Sequence, residues 1–232
     1  MYRPTLIAVS AMTGLSALAA PAAVMADTPR ELLTAAAFQA PDKARALALI
    51  GQAITASDKI LAARPGDHEA TLQRGVAIGY RAKLTRSRSD ARTSLGIFER
   101  LAAQNPRDAE AQMVIAGWHL DAIDQLGGLV ARTALGAKTQ AGETALSRAV
   151  ALGGDRAFYP GLAALMQIRK DHGQVAQARR WAEDAATAPT PTPLDTLMKR
   201  AALAILPALR KGDGKSAAAT ARKLLPFGKL TD

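Results

Sequence analysis

The sequence contains no cysteine, a single asparagine and few aromatic residues. None of its 232 residues is cysteine, and only 4% are Phe, Trp or Tyr. The lack of cysteine excludes disulfides, cysteine-based zinc sites and a lipid-modified N-terminal cysteine. With so few aromatic rings, the core has to come from closely spaced helices with small side chains. The 53 alanines support this, because alanine is the strongest helix former, and together these features predict an all-α fold.

The first 26 residues lack charge almost completely. Arg3 is their only charged side chain, and an apolar run follows it. Val24 and Ala26 then match the small-residue pattern that precedes a secretory cleavage site. The alternative is a membrane anchor, but two prolines make this stretch a poor transmembrane helix. The sequence therefore predicts a signal peptide over residues 1–26, cleaved after Ala26, and secretion across the inner membrane into a bacterial periplasm.

Negative charge is scarce in the remainder of the chain. The full sequence carries a net charge of +10, and removal of the signal peptide would leave +9. Such a balance favours anionic partners, which in a periplasm are lipid headgroups, lipopolysaccharide phosphates, cell-wall polymers or acidic protein surfaces. Nucleic acid is not an expected partner of an exported protein. The alternative interpretation is that the charge only serves solubility.

Two stretches of the chain are nearly the same. Residues 61–70 read LAARPGDHEA and residues 101–111 read LAAQNPRDAEA. In each, proline ends a helix and aspartate is well placed to cap the next one. Weaker copies follow, with corners near 153–155 and 188–194. The four predicted capping residues, spaced by 41, 47 and 40 positions, are Asp67, Asp108, Asp155 and Asp195.

A unit of this length is typical of stacked helical hairpins. The apolar periodicity predicts about ten helices in five antiparallel pairs over residues 27–232. One of these helices is expected to run from about Val130 to Leu152 with kinks at Gly136 and Gly142. We expect capping helices over residues 194–225, with Pro207 bending or shortening the first of them.

This organisation resembles the tetratricopeptide repeat family, most clearly over residues 40–190. Pro106 and Phe98 match the spacing of the family's proline and aromatic residue, and Pro65 and Ala53 match that of its proline and alanine. The repeat here is longer than the family's period of about 34 residues, and no unit matches every position. The resemblance implies a right-handed α-solenoid with a concave surface that binds a protein or peptide. The side chains that it proposes for this surface are Arg74, Tyr80, Trp118 and Arg169.

The most distinctive charged feature is RAKLTRSRSDAR, residues 81–92. It has five positively charged residues and one negatively charged residue, Asp90. We expect it to form a long connection between two helices. Arg81, Arg86 and Arg88 could hold a phosphate or carboxylate through paired hydrogen bonds. The alternative is an ordinary solvated loop.

Motifs for catalysis are missing. The chain has no GxSxG, P-loop or GxGxxG pattern, and His68, His119 and His172 do not have metal-ligand spacing. We therefore predict a non-enzymatic scaffold without cofactor or metal, which binds a protein or peptide and touches a membrane at most on its surface. The alternative is a small-molecule or lipid-binding accessory of an envelope transport system, which needs an enclosed apolar cavity. An enzyme would need His119 buried beside an acid in a cleft.

Overall fold

The computed structural model of the chain describes residues 27–230, and the predicted signal peptide lies outside them. Within that range the protein is all-α, as predicted, with eleven helices and no strand. The helices are α1 (Pro29–Phe38), α2 (Lys43–Ala63), α3 (His68–Thr85), α4 (Arg88–Gln104), α5 (Ala109–Leu126), α6 (Gly128–Leu135), α7 (Thr139–Leu152), α8 (Phe158–Lys170), α9 (Val175–Thr187), α10 (Pro193–Arg210) and α11 (Gly214–Leu224).

The first two corners lie where the proline and aspartate pattern predicts them. The Asp67 carboxylate accepts a hydrogen bond of 2.9 Å from the Ala70 N–H at the start of α3. Asp108 accepts one of 3.0 Å from the Ala111 N–H at the start of α5. Each carboxylate satisfies a backbone N–H that has no partner inside its helix, which is how an N-cap stabilises the first turn.

The predicted caps Asp155 and Asp195 are wrong. Asp155 is exposed in the turn before α8, which starts only at Phe158. Asp195 is the third residue of α10, whose N-cap is Thr192. The fully buried Asp195 carboxylate also accepts a hydrogen bond of 3.0 Å from the Phe158 N–H. One carboxylate thus completes the capping box of α10 and caps α8, which has no side-chain cap of its own.

The predicted long helix from Val130 to Leu152 is two helices, α6 and α7. Gly136, with a φ of 77°, ends α6, and Gly127, with a φ of 75°, precedes it. This left-handed region is accessible to glycine at little cost, so α6 is a separate short element between two glycine turns. Pro207 does not shorten α10, which continues to Arg210.

Each helix packs mainly on its neighbours along the chain. The strongest packing partners are α1 with α2, α2 with α3, α3 with α4, α5 with α7, α8 with α9, and α10 with both α9 and α8. Buried leucine, isoleucine, methionine and many alanines fill the interfaces. Alanine allows the helices to lie close together, as expected from the scarcity of aromatic residues. α2 is long and apolar enough to span a membrane, but Leu49, Ile50 and Ala53 on it are buried in the protein core.

The end of the chain returns to its beginning. Residues 225–230, here called the C-terminal strap, leave α11, which packs on α8 and α10. The Phe227 N–H donates a hydrogen bond of 2.8 Å to the Ala37 carbonyl in α1. The Phe227 side chain is buried in the cluster formed by α1 and α2. The strap therefore joins the last helices to the first.

A candidate ligand-binding cavity

The helices and the strap surround a cavity of about 450 Å³. Its walls come from α1, α3, α5, α8 and α10, with α4 and α6 at one side, and Leu225 and Pro226 of the strap contribute as well. A volume of this size lies within the range of about 300 to 1,000 Å³ that is typical of small-molecule sites. Most of the lining is apolar. It includes Leu72, Val76, Met113, Leu162, Met166 and Met198.

Ion pairs around Arg30 contribute to the cavity wall, since Arg30 and Glu110 both line it. Its guanidinium donates to Glu69 at 2.8 and 2.7 Å and to Glu110 at 2.6 and 2.9 Å. Burial lowers the pKa of Arg30, but the two carboxylates raise it by more, so the guanidinium stays charged. Because Arg30 lies in α1, Glu69 in α3 and Glu110 in α5, these ion pairs link the three helices.

A second ionic cluster lies near the other ends of these helices. Lys83 Nζ lies 2.9 Å from Asp121 Oδ2, and Arg169 Nη2 lies 2.6 Å from Asp121 Oδ1. Burial raises the pKa of Asp121, but the charges of Lys83 and Arg169 outweigh this and lower it to about 2. The carboxylate is therefore ionised at neutral pH, and it links α5 to α3 and α8.

The two ionic clusters lie at opposite ends of α3. Glu69 lies in the first turn of α3 and Lys83 in its last turn. Their separation of fourteen positions corresponds to about 21 Å along a helix axis. The hydrocarbon core of a bilayer is about 30 Å thick, so one acyl chain spans about 15 Å of it. The separation of the two clusters along α3 therefore exceeds the length of one such chain.

The strap forms part of the wall beside Lys83. The Tyr80 and Phe227 rings meet edge to face with their centroids 4.9 Å apart. Lys83 Nζ lies 3.4 Å from the Pro226 carbonyl oxygen and 5.9 Å from the centroid of the Phe227 ring. Phe227 has a φ of 66°, which is unfavourable for a residue with a side chain. These contacts offset that cost and hold the strap across the helices.

The cavity opens where α3, α4 and α6 meet. Arg86, Arg88 and Val130 line it there and are exposed to solvent. Neither arginine has an ion-pair partner among residues 27–230. The opening is therefore a positively charged rim around an apolar interior.

The predicted long basic connection over residues 81–92 is wrong. Only Arg86 and Ser87 lie outside the helices, and Arg86 takes the left-handed conformation with a φ of 59°. Arg81 belongs to α3 and makes hydrogen bonds of 2.7 and 2.9 Å to Asp90 in α4. The turn is as tight as the resemblance implies. It places Arg86, and Arg88 at the start of α4, at the opening of the cavity.

The seven predicted binding residues divide into two groups. Tyr80, Arg86, Arg88 and Trp118 line the cavity, and the Trp118 indole N–H donates to the Ala91 carbonyl at 2.8 Å. The others do not line it. Arg74 pairs with Asp58 at 2.6 Å, Arg81 pairs with Asp90, and Arg169 is buried against Asp121.

His119 is buried and contacts neighbouring residues of the fold. It is 7% exposed, its ring meets that of Trp118 edge to face, and its Nδ1 accepts a hydrogen bond of 3.4 Å from the Lys138 N–H. Burial first, and the charge of Lys138 second, lower the pKa of His119. Between residues 27 and 230, no carboxylate pairs with it. The same range holds no cluster of histidine and acidic side chains suited to a metal ion.

The sequence interpretation missed the strap and the Lys83–Asp121 pair. Residues 224–228 read LLPFG, an apolar stretch after the last helix that contains one of only four phenylalanines. That stretch is a usable signal, because terminal residues are usually polar unless they are docked. The Lys83–Asp121 pair joins positions 38 residues apart. No local pattern predicts such a contact.

Comparison with known proteins found no matching family model, no matching characterised protein and no matching solved structure.

Proposed function

We propose that the protein is a non-enzymatic carrier of a small amphipathic molecule with an apolar chain and an anionic head. The single observation that carries this proposal is the cavity of about 450 Å³, which is lined mainly by apolar side chains and has the C-terminal strap as part of its wall. A peptide needs many backbone hydrogen-bond partners, and an apolar lining offers few of them. An acyl chain needs none.

The positively charged rim supports an anionic head. Arg86 and Arg88 lie at the opening, where a carboxylate or phosphate could accept hydrogen bonds from either guanidinium while its chain occupies the interior. Arg30 also lines the cavity, but it is engaged by two carboxylates, so it does not compete for the head. The proposal thus orients the ligand with its head at the opening.

The remaining parts of the proposal concern architecture and compartment. The chain forms a right-handed, tetratricopeptide-like solenoid of about five antiparallel hairpins, namely α1/α2, α3/α4, α5/α7, α8/α9 and α10/α11, with α6 inserted in the third. The packing of helices on their chain neighbours supports it. The protein acts in the periplasm after cleavage at Ala26, as an accessory of an envelope transport system, without cofactor or metal.

Filling the cavity tests the proposal. Gly117 lines the cavity, and a Cβ placed on it would have no atom within 4 Å. Gly117→Leu would therefore occupy ligand space without a clash, and a helical glycine is replaced without loss of stability. Isothermal calorimetry with a long-chain fatty acid should show binding to the wild type that the variant weakens about tenfold or more.

The matched control is Gly51→Leu. Gly51 is also helical with open space around it, but it lies on α2 outside the cavity. Its replacement should leave fatty-acid affinity unchanged. Equal effects of both substitutions would contradict the cavity as the site. Absence of binding to the wild type would overturn the carrier proposal and favour the protein or peptide partner that the resemblance implies.

The same titration tests the anionic head. The double substitution Arg86→Asn and Arg88→Gln should weaken binding of the acid but not of the fatty alcohol of equal chain length. Asparagine is chosen because it tolerates the left-handed conformation at position 86. The control removes the same charge elsewhere, with Arg179→Gln and Lys211→Gln. An equal loss in both double variants would mean that only net charge matters.

A further inference from the structure

Exposed apolar side chains cluster at one element of the protein. Four large apolar residues of the described chain are conspicuously exposed, and three of them lie within five positions: Leu126 at 40%, Leu129 at 78% and Val130 at 49%. Isolated exposed apolar residues are common, but a contiguous set indicates an interaction surface. All three belong to the end of α5 and the start of α6.

α6 is loosely held by the fold. Ala131 is its only buried residue, and the helix packs mainly on α5 and α4. Glycines with positive φ flank it, Gly127 before and Gly136 after. The short helix is thus an insert that presents Leu129 to solvent while Val130 borders the opening of the cavity.

The charges on α6 and on the residues that follow it are all positive. Residues 125–140 contain Arg132 and Lys138 and no acidic residue. Arg86 and Arg88 line the same opening as Val130, and Arg92 donates a hydrogen bond of 2.9 Å to the Ala134 carbonyl of α6. Exposed apolar side chains surrounded by positively charged ones suit an anionic bilayer. The apolar side chains can reach the acyl chains while the positive charges lie among the anionic headgroups.

We propose that α6 docks on an anionic lipid bilayer, with Leu129 and Val130 inserted below the headgroups and Arg86, Arg88 and Arg132 among them. A second copy of the chain is a poorer occupant, because a symmetric pair would bring two cationic surfaces together. Docking in this orientation turns the opening of the cavity towards the membrane. The proposal stands on the surface of α6 and does not depend on the cavity holding a ligand.

The absence of cysteine allows a local test. Leu129→Cys and Leu203→Cys each introduce one thiol for an environment-sensitive fluorophore; Leu203, 47% exposed on α10, is the matched control. Vesicles of phosphatidylglycerol and phosphatidylcholine should blue-shift the label at 129 and leave the label at 203 unchanged. Vesicles of phosphatidylcholine alone should give a much smaller shift. Both proteins share the same first 26 residues, so a general attraction of that segment to lipid affects both labels equally.

Sedimentation with the same vesicles measures the energetic contribution. The full chain with Leu129→Ser should partition about tenfold less into anionic vesicles, whereas Leu203→Ser should partition like the wild type. Docking by α6 is overturned if the label at 129 does not shift, if both labels shift equally, or if the shift at 129 grows with protein concentration without lipid. Leu129 does not line the cavity, so these outcomes are independent of fatty-acid binding.

Discussion

Asp195 shows how much structure a single side chain can organise. It is fully buried and accepts hydrogen bonds from the Thr192 hydroxyl at 2.6 Å, the Phe158 N–H at 3.0 Å and Arg156 at 3.1 Å. Burial raises its pKa, but these donors outweigh it, so the pKa lies below its usual range. The fold tolerates this buried negative charge because hydrogen-bond donors satisfy both carboxylate oxygens.

We therefore expect Asp195→Ala to lower the free energy of unfolding by about 3 kcal/mol or more, because it leaves a guanidinium and a backbone N–H unpaired. Chemical denaturation followed by circular dichroism measures this. Asp155→Ala is the control, since Asp155 is exposed and caps no helix, and its effect should stay within about 0.5 kcal/mol. Similar losses in both variants would contradict the assignment of the caps.

At the scale of elements, the ion pairs of Asp121 link α5 to α3 and α8, and their stabilising effect depends on pH. Its pKa in the folded protein is about 2, compared with the usual value of 3.8. A lowered pKa means that the stabilisation is complete above about pH 4 and is lost as the pH falls through about 2. The difference of nearly two pKa units corresponds to about 2 kcal/mol.

Asp121→Asn should therefore lower the free energy of unfolding by about 2 kcal/mol at pH 7. The gap between wild type and variant should narrow as the pH falls from 4 towards 2. Denaturation series at several pH values measure it. Asp184→Asn, on the face of α9, should leave the wild-type profile unchanged. A gap that does not vary with pH would show that Asp121 acts through shape rather than charge.

Prediction from the sequence succeeded where the deciding residues are close together in the chain. Proline followed by aspartate predicted the corners before α3 and α5, and alanine content predicted the all-α class. It failed at α6, because a glycine pair and a single glycine do not reveal which of them interrupts a helix. It also failed at residues 81–92, because charge alone does not distinguish a loop from two helix ends joined by Arg86 and Ser87.

Only part of the candidate site could be predicted from the sequence. Tyr80, Trp118, Arg86 and Arg88 were named from resemblance and charge, and all four line the cavity. Arg169 was also named, yet it is buried against Asp121. Helical periodicity gives the side of a helix that faces inward, but not the partner that an inward side chain meets. The five-hairpin solenoid stays a prediction.

At the scale of the whole molecule, the strap joins the two ends of the helical array. Phe227→Ala should remove the ring contact with Tyr80 and lower the free energy of unfolding by about 3 kcal/mol. Hydrogen exchange should become faster in α1 and α2, which bury this ring, than in α8 and α9. The exposed Leu203→Ala is the control. Uniform acceleration of exchange would contradict a local role for the strap.

The contact between Phe227 and Ala37 also sets an order of events during folding. Hairpins of neighbouring helices need only short loops to close, whereas this contact closes a loop of about 190 residues. Helices can therefore form and pack while the chain is still emerging, but the cavity has no complete wall until the last residues arrive. Under the carrier proposal, a ligand would be enclosed only after residues 225–230 have packed on α1. Later release of the strap would open the cavity while the helices stay folded, since local opening costs less than global unfolding.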